Sequence, residues 1–260
     1  MQALGEDIVL LAITRNGKIA GYEKLRFALA GSQLVRLAAA GRIQIDRDGY
    51  VSVLGASPTG DATTDLALSA LEDVVGSPRA RQWVARQPAT LVTKFLNSLA
   101  EAGVIQAEDR RVLLLFRTHR WVVLDKARRD DAKKRLDAIA GSRRSITAEE
   151  AAFAGLVYAA GLGSSLYPAG KDLALAAIAR QDEAVTLISA ERPTSSSAAA
   201  DGDQLFTHFP YAAIQSVTIA AIRCSVDAAH HAAAVQHHQS GYDSGFHHDG
   251  GGMVGGGHHG

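Results

Sequence analysis

Cysteine is almost missing from this 260-residue chain. The single Cys224 excludes a disulfide framework and a four-thiolate zinc site, and it makes a reducing compartment the default. Net charge is missing too: 27 basic residues balance 27 acidic ones, so no overall field draws nucleic acid or membrane, and any charged surface must be local. A secretory leader is not expected, because Glu6 and Asp7 stand before the apolar run Ile8 to Ile13 where basic residues would be needed. Residues 151–170 and 204–222 lack Asp, Glu, Lys and Arg. However, the first is rich in Ala, Gly and Ser and contains Pro168, and the second carries His208, Pro210 and Gln215. Both are expected to be buried core helices, not membrane spans. Enzyme signatures are lacking as well. There is no G-x-S-x-G and no P-loop, and Gly161-Leu162-Gly163 lacks a third glycine and follows a helix. The expectation is a non-catalytic protein with no cofactor.

Hydrophobic residues, by contrast, make up 47% of the chain, ample for a core. The 47 alanines favour helix, and the excess of 20 Arg over 7 Lys suggests a GC-rich bacterial source. The predicted architecture is mainly α: a single compact helical domain with short β-hairpins over residues 1–229, then a disordered Gly/His-rich tail over 230–260. An apolar segment at 3–14 ends in the turn signal Asn16-Gly17. Helices are expected at 23–40, 64–75, 80–86, 90–102, 126–140, 172–190 and 211–229. A further apolar helix begins at a capping box of Thr147 and Glu150, and a flexible linker spans 193–203. On the 126–140 helix, Asp130 with Lys134 and Asp131 with Arg135 have stabilising i,i+4 spacing. Strands 42–45 and 50–53 form a hairpin around Asp48-Gly49.

The chain also repeats itself. Residues 34–44 match residues 96–106 at seven positions with a constant offset of 62, and each copy is a helix, a Gly cap and a strand entering a hairpin. The second hairpin is expected over 112–124, with its tip at Arg117-Thr118-His119-Arg120.

Chemistry concentrates at that hairpin. From Arg110 to Arg144 twelve Lys/Arg face four Asp/Glu, an excess of eight positive charges. Arg110, Arg111, Arg117 and Arg120 bracket Leu113, Leu114, Phe116 and Trp121. An apolar wedge ringed by cations suits an anionic bilayer surface, where hydrocarbon inserts and each cation contributes about 1 kcal/mol. Two other readings stay open. The hairpin could join two copies of the chain in a homo-oligomer. Alternatively, helix, turn and hairpin could be a winged helix, although helices 32–40 and 90–102 carry only Arg36 and Lys94 as cations, which makes nucleic acid an unlikely partner. The Pro58-Thr59-Gly60-Asp61 turn reads as a helix cap. Cys224 reads as a core thiol. Eight histidines in four adjacent pairs, His230 to His259, lie in the tail without a frame to fix metal geometry, and no metal site is assigned there.

Taken together, the run Glu6-Asp7-Ile8-Val9-Leu10-Leu11-Ala12-Ile13, the segment Leu29-Ala30-Gly31 through Leu37-Ala38-Ala39-Ala40-Gly41-Arg42-Ile43, Pro58-Thr59-Gly60-Asp61, Trp83, Ala102-Gly103-Val104 and Leu113-Leu114-Leu115-Phe116 resemble the Golgi phosphoprotein 3 family, including its bacterial members. The resemblance spans about Leu4 to Ala229. It implies a peripheral membrane protein that binds phosphatidylinositol 4-phosphate, uses an apolar hairpin for membrane contact and self-association, and takes cytosolic tails of membrane proteins as partners. The lipid head-group residues do not carry over. The family's tryptophan falls at Gly21 or Tyr22 and one arginine at Ala30. Two more arginines fall at Ala89 and Val92, leaving Lys94 nearby, whereas a phosphomonoester needs several charge-assisted donors.

Overall fold

A computed structural model of the chain describes residues 4–46, 48–112, 116–142 and 146–167, with 109–112 and 116–119 described by their backbone. Among these residues the protein is mainly helical with two antiparallel hairpins. The order is α1 (Leu4–Ala12), α2 (Tyr22–Ala39), β1 (Ile43–Ile45), β2 (Val51–Val53), α3 (Ala62–Glu72), α4 (Ala80–Arg86), α5 (Thr90–Glu101), β3 (Ile105–Val112), β4 (Phe116–Val123), α6 (Lys126–Ala140), α7 (Ala148–Ala159) and the single turn α8 (Gly163–Leu166). The expected helices at 172–190 and 211–229, the 193–203 linker, the His-rich tail and Cys224 lie outside the described residues.

The centre of the fold is α2. Its apolar residues do not keep to one stripe: Leu25, Phe27, Ala28, Leu29, Ala30, Leu34, Val35, Leu37 and Ala38 are all buried. A helix apolar on every side must be covered on every side, and α1, α3, α5 and α7 pack around it. The charge-free segment at 151–160 is core as expected: Ala151, Ala152, Phe153, Ala154, Leu156 and Val157 of α7 are buried. No helix among the described residues is long and apolar enough to cross a membrane. The start of α7 is the expected capping box, with Thr147 and Glu150 each bonding the other's backbone N–H.

The sequence repeat is a repeat of geometry. At the end of α2 the Gly41 N–H donates to the Ala38 carbonyl (3.0 Å) and the Arg42 N–H to the Leu37 carbonyl (2.9 Å). At the end of α5 the Gly103 N–H donates to Ala100 (3.0 Å) and Val104 to Leu99 (2.9 Å). Both are Schellman caps, with the glycines at φ 65° and 70°, so each helix turns directly into its hairpin. The first hairpin is short, pairing Ile43 with Val53 and Ile45 with Val51.

The second hairpin differs from the expectation. It runs from Ile105 to Val123, not over 112–124, and the strands close between Val112 and Phe116, so Arg117-Thr118-His119-Arg120 lies within β4 and is not the tip. Polar residues at the middle of β4 resemble turn chemistry. Cross-strand pairing of Asp109 with His119 and Arg110 with Thr118 places them in a strand all the same.

The Pro58–Asp61 turn acts as the cap that its composition suggests. Asp61 Oδ1 accepts from the Thr64 N–H at 2.7 Å and from the Thr63 hydroxyl at 2.7 Å, and pairs with Arg36 of α2 at 3.0 Å. Burial opposes ionisation of Asp61, but the bonds from Thr64, Thr63 and Arg36 outweigh it and hold the carboxyl below its usual value. A carboxyl lowered on folding stabilises the fold above the ordinary value near 3.8, and that contribution is lost as pH falls through the lower folded value. Asp61→Ala is therefore expected to cost about 1–2 kcal/mol in urea denaturation at pH 7. The gap from the native protein should hold down to about pH 4 and narrow below it.

Candidate functional site

The β3–β4 ribbon is the longest feature that leaves the helical body. At its base Val104, Ile105 and Val123 are buried, whereas Gln106, Ala107 and Glu108 are exposed. Eight residues per strand make it roughly 24 Å long.

Register distributes the expected site residues along this length. Arg111 pairs with Arg117, Arg110 with Thr118, Val112 with Phe116, Glu108 with Arg120 and Ala107 with Trp121. Alternation places Arg111, Arg117 and Trp121 on one face, and Arg110, Phe116 and Arg120 on the other. Arg110, Arg111, Phe116 and Arg117 thus gather at the closed end, beside Leu113 and Leu114, which lie outside the described residues. Trp121 and Arg120 do not join them. Trp121 is five residues from Phe116 along β4, roughly 17 Å, and is half-buried near the base.

What holds the base is a segment that charge counting passed over. The turn between α1 and α2 lies along β4, where the Trp121 N–H donates to the Gly17 carbonyl at 2.9 Å and Arg120 Nε donates to the Asn16 carbonyl at 2.8 Å. Gly17 sits at φ 74°, and a Cβ there would lie 2.9 Å from the Trp121 carbonyl oxygen and 3.0 Å from Arg120 Cβ. Only glycine fits this left-handed, close-packed position. The turn is closed on itself, since the Thr14 N–H (2.8 Å) and hydroxyl (2.9 Å) both donate to the Lys18 carbonyl. Arg15 and Lys18 are consequently presented on an ordered turn, and both are exposed.

The excess of eight charges over 110–144 is not all surface. On α6, Arg128 bonds Glu6 and approaches Asp7 at 3.6 Å, and Arg135 pairs with Asp7 at 3.0 Å while its guanidinium stacks 4.1 Å from the Phe153 ring. Lys133 pairs with Asp137 at 2.8 Å and Lys134 with Asp131 at 3.1 Å. The expected pairs Asp130/Lys134 and Asp131/Arg135 are not formed among these bridges. Lys134 takes the i−3 carboxylate, and Arg135 turns toward Asp7, where burial makes an ionic contact stronger than at the surface. Burial raises the Asp7 carboxyl above its usual value despite the pull of Arg135 and Arg128. Arg128 and Arg135 thus tie α6 to α1.

The sequence profile of Golgi phosphoprotein 3 (GPP34) matches residues 4–200. The chain belongs to this family. No curated protein matches it. Within the Golgi phosphoprotein 3 frame, the positions where the resemblance implied a phosphoinositide pocket can be inspected directly. Ala30 and Val92 are wholly buried in the core, while Ala89 and Lys94 are exposed. Gly21 has φ 61°, and a Cβ on it would lie 2.2 Å from the Ala160 carbonyl oxygen. At Gly21 the space for the family's tryptophan is filled by the residue that follows α7, whereas Tyr22, the other position for it, is exposed. Gly21→Trp is accordingly expected to destabilise the fold in urea denaturation by more than the roughly 1–2 kcal/mol that a left-handed backbone alone costs, without gaining affinity for phosphatidylinositol 4-phosphate vesicles. Among the described residues no His/Cys/Asp/Glu group could hold a metal ion.

The 32–40 helix weighed as a groove reader is placed differently from what duplex entry requires. Ser32 to Val35 are buried in the centre of the fold, and Arg36 is bonded to Asp61.

Proposed function

We propose that this Golgi phosphoprotein 3 family member is a non-catalytic, cytoplasmic protein that docks peripherally on anionic membranes through the β3–β4 ribbon. The observation that carries the reading is the register at the closed end. Arg111 stands directly opposite Arg117, next to the Val112–Phe116 pair and the apolar Leu113 and Leu114. Like charges directly across a ribbon are destabilising. A lipid phosphate between them would turn that repulsion into two charge-assisted contacts, while the apolar end enters the acyl boundary. Arg110, Arg111 and Arg117 then serve as phosphate ligands and Leu113, Leu114 and Phe116 as the inserted group, with Arg120 and Trp121 nearer the water. Stereospecific phosphoinositide recognition is not part of the proposal, because Ala30, Val92 and Gly21 leave no donors and no room for it.

Sedimentation with vesicles tests the reading. Binding is expected to vesicles of phosphatidylcholine containing phosphatidylglycerol, to weaken as salt shortens the screening length, and to be near background on phosphatidylcholine alone. Equal binding to both, or to neither, rejects it.

A further inference from the structure

The cations at the base of the ribbon have no structural partner that explains them. Among the described residues no ion pair joins Arg15, Lys18 or Arg120 to a carboxylate, and Glu108, opposite Arg120 in the register, forms none with it. Their placement is nonetheless tightly determined. Gly17 admits no side chain, Thr14 closes the turn, and Arg120 Nε is committed to the Asn16 carbonyl, which fixes the guanidinium beside the turn. Arg120 is thereby held beside the turn that carries the exposed Arg15 and Lys18, and an anion entering there would be attracted by all three.

Their distance from the closed end adds a constraint. Arg120 stands three residues from Arg117 and four from Phe116, and the turn docks alongside it, roughly 10–14 Å from the apolar end. Apolar groups of interfacial proteins enter the bilayer boundary by about 5–10 Å, and at physiological salt charges are screened within about 8 Å. With the tip inserted to that depth, an upright ribbon would leave Arg120 and the turn roughly 0–9 Å above the boundary, within or at the edge of the screening length, so tilting toward the surface strengthens their contact. A ribbon tilted onto its Arg110 and Arg120 face would bring a cation from the closed end and one from the base to phosphates at once.

Resting on the membrane reading above, we propose that the Thr14–Lys18 turn and Arg120 form a second contact for lipid phosphates, so that the ribbon docks lengthwise on an anionic bilayer. The occupant is a bilayer and not a duplex, because the half-buried Trp121 is bonded through its backbone to the same turn, and indole favours the membrane–water boundary.

The full chain is tested with phosphatidylcholine vesicles containing phosphatidylglycerol. Changing Arg15→Ser and Lys18→Ser together is expected to weaken binding about 25-fold, fivefold for each cation lost. In a second experiment an environment-sensitive nitrobenzoxadiazole label is attached to Asn16→Cys in a Cys224→Ser background, which leaves the backbone acceptor of Arg120 in place. Its emission is expected to rise and shift to the blue when vesicles are added. Full-strength binding by the double variant, or an unchanged label on vesicles that still bind the protein, overturns the lengthwise contact while leaving the ribbon reading intact. Absence of binding by the unaltered chain defeats both. A DNA duplex that binds at low salt and loses affinity in the double variant, with no vesicle binding, would assign the cations to nucleic-acid phosphates instead.

Discussion

Reversing Arg117→Glu and Arg120→Glu together is expected to reduce affinity for phosphatidylglycerol-containing vesicles by about a thousandfold. Each cation at an anionic surface contributes about 1 kcal/mol, and replacing it with an anion changes the interaction by roughly twice that. Two reversals therefore amount to about 4 kcal/mol, or three factors of ten. The two residues differ in what else they do. Arg117 faces Arg111 across the ribbon, so reversal there builds an internal cross-strand ion pair that competes with lipid. Arg120 also donates to the Asn16 carbonyl, so its reversal additionally frees the turn that carries Arg15 and Lys18. The helical circular dichroism signal should remain unchanged, since both substitutions fall in β4 and outside the helices. Vesicle binding that survives the double reversal at low salt would remove the ribbon from the membrane contact.

The second large effect concerns the body that carries the ribbon. Phe153→Ala is expected to destabilise the protein by about 4 kcal/mol, seen as a lower urea midpoint with little change in slope. Phe153 is 1% exposed in the centre of α7, and its removal leaves a cavity that alanine- and glycine-rich neighbours cannot refill by moving rotamers. The ring also supports Arg135, whose guanidinium lies 4.1 Å from it while bonding Asp7. Loss of the ring loosens that ion pair and with it the tie between α6 and α1. Below the denaturation midpoint the folded molecules should still bind vesicles normally, because the ribbon is anchored by Val104, Ile105 and Val123 and not by α7. A destabilisation under 1 kcal/mol would mean that the site collapses around the smaller side chain.

These contrasts show which parts of the structure local sequence can announce. The helix at 80–86 and the cap at Thr147 and Glu150 are visible in the chain because their determinants lie within four residues. The 62-residue repeat is visible because a Schellman cap needs the same glycine and flanking apolar residues each time. The tip of the second hairpin is not legible locally, because Arg117-Thr118-His119-Arg120 is a polar run between two apolar ones and so resembles a turn. Pairing across the ribbon decided the matter against local preference. The partners of the α6 cations could not be read from the chain at all: Asp7 and Arg135 are 128 residues apart, and only the packing of α1 on α6 brings them together. The base cations were hidden for the same reason. Arg15 and Lys18 fall far outside the 110–144 window, and the one local clue was Asn16-Gly17, a turn signal that says nothing of what the turn touches.

The paired glycine caps bear on how such a protein can change over generations. Both helices release their hairpins through the same two hydrogen bonds, yet one ribbon has strands of three residues and the other of eight. Strand length is therefore independent of the launching geometry. Lineages can lengthen, blunt or recharge the second ribbon one residue pair at a time while the helical body stays as it is. Relatives with the same body can then differ in which surface they adhere to, and divergence of adhesion need not pass through unstable intermediates.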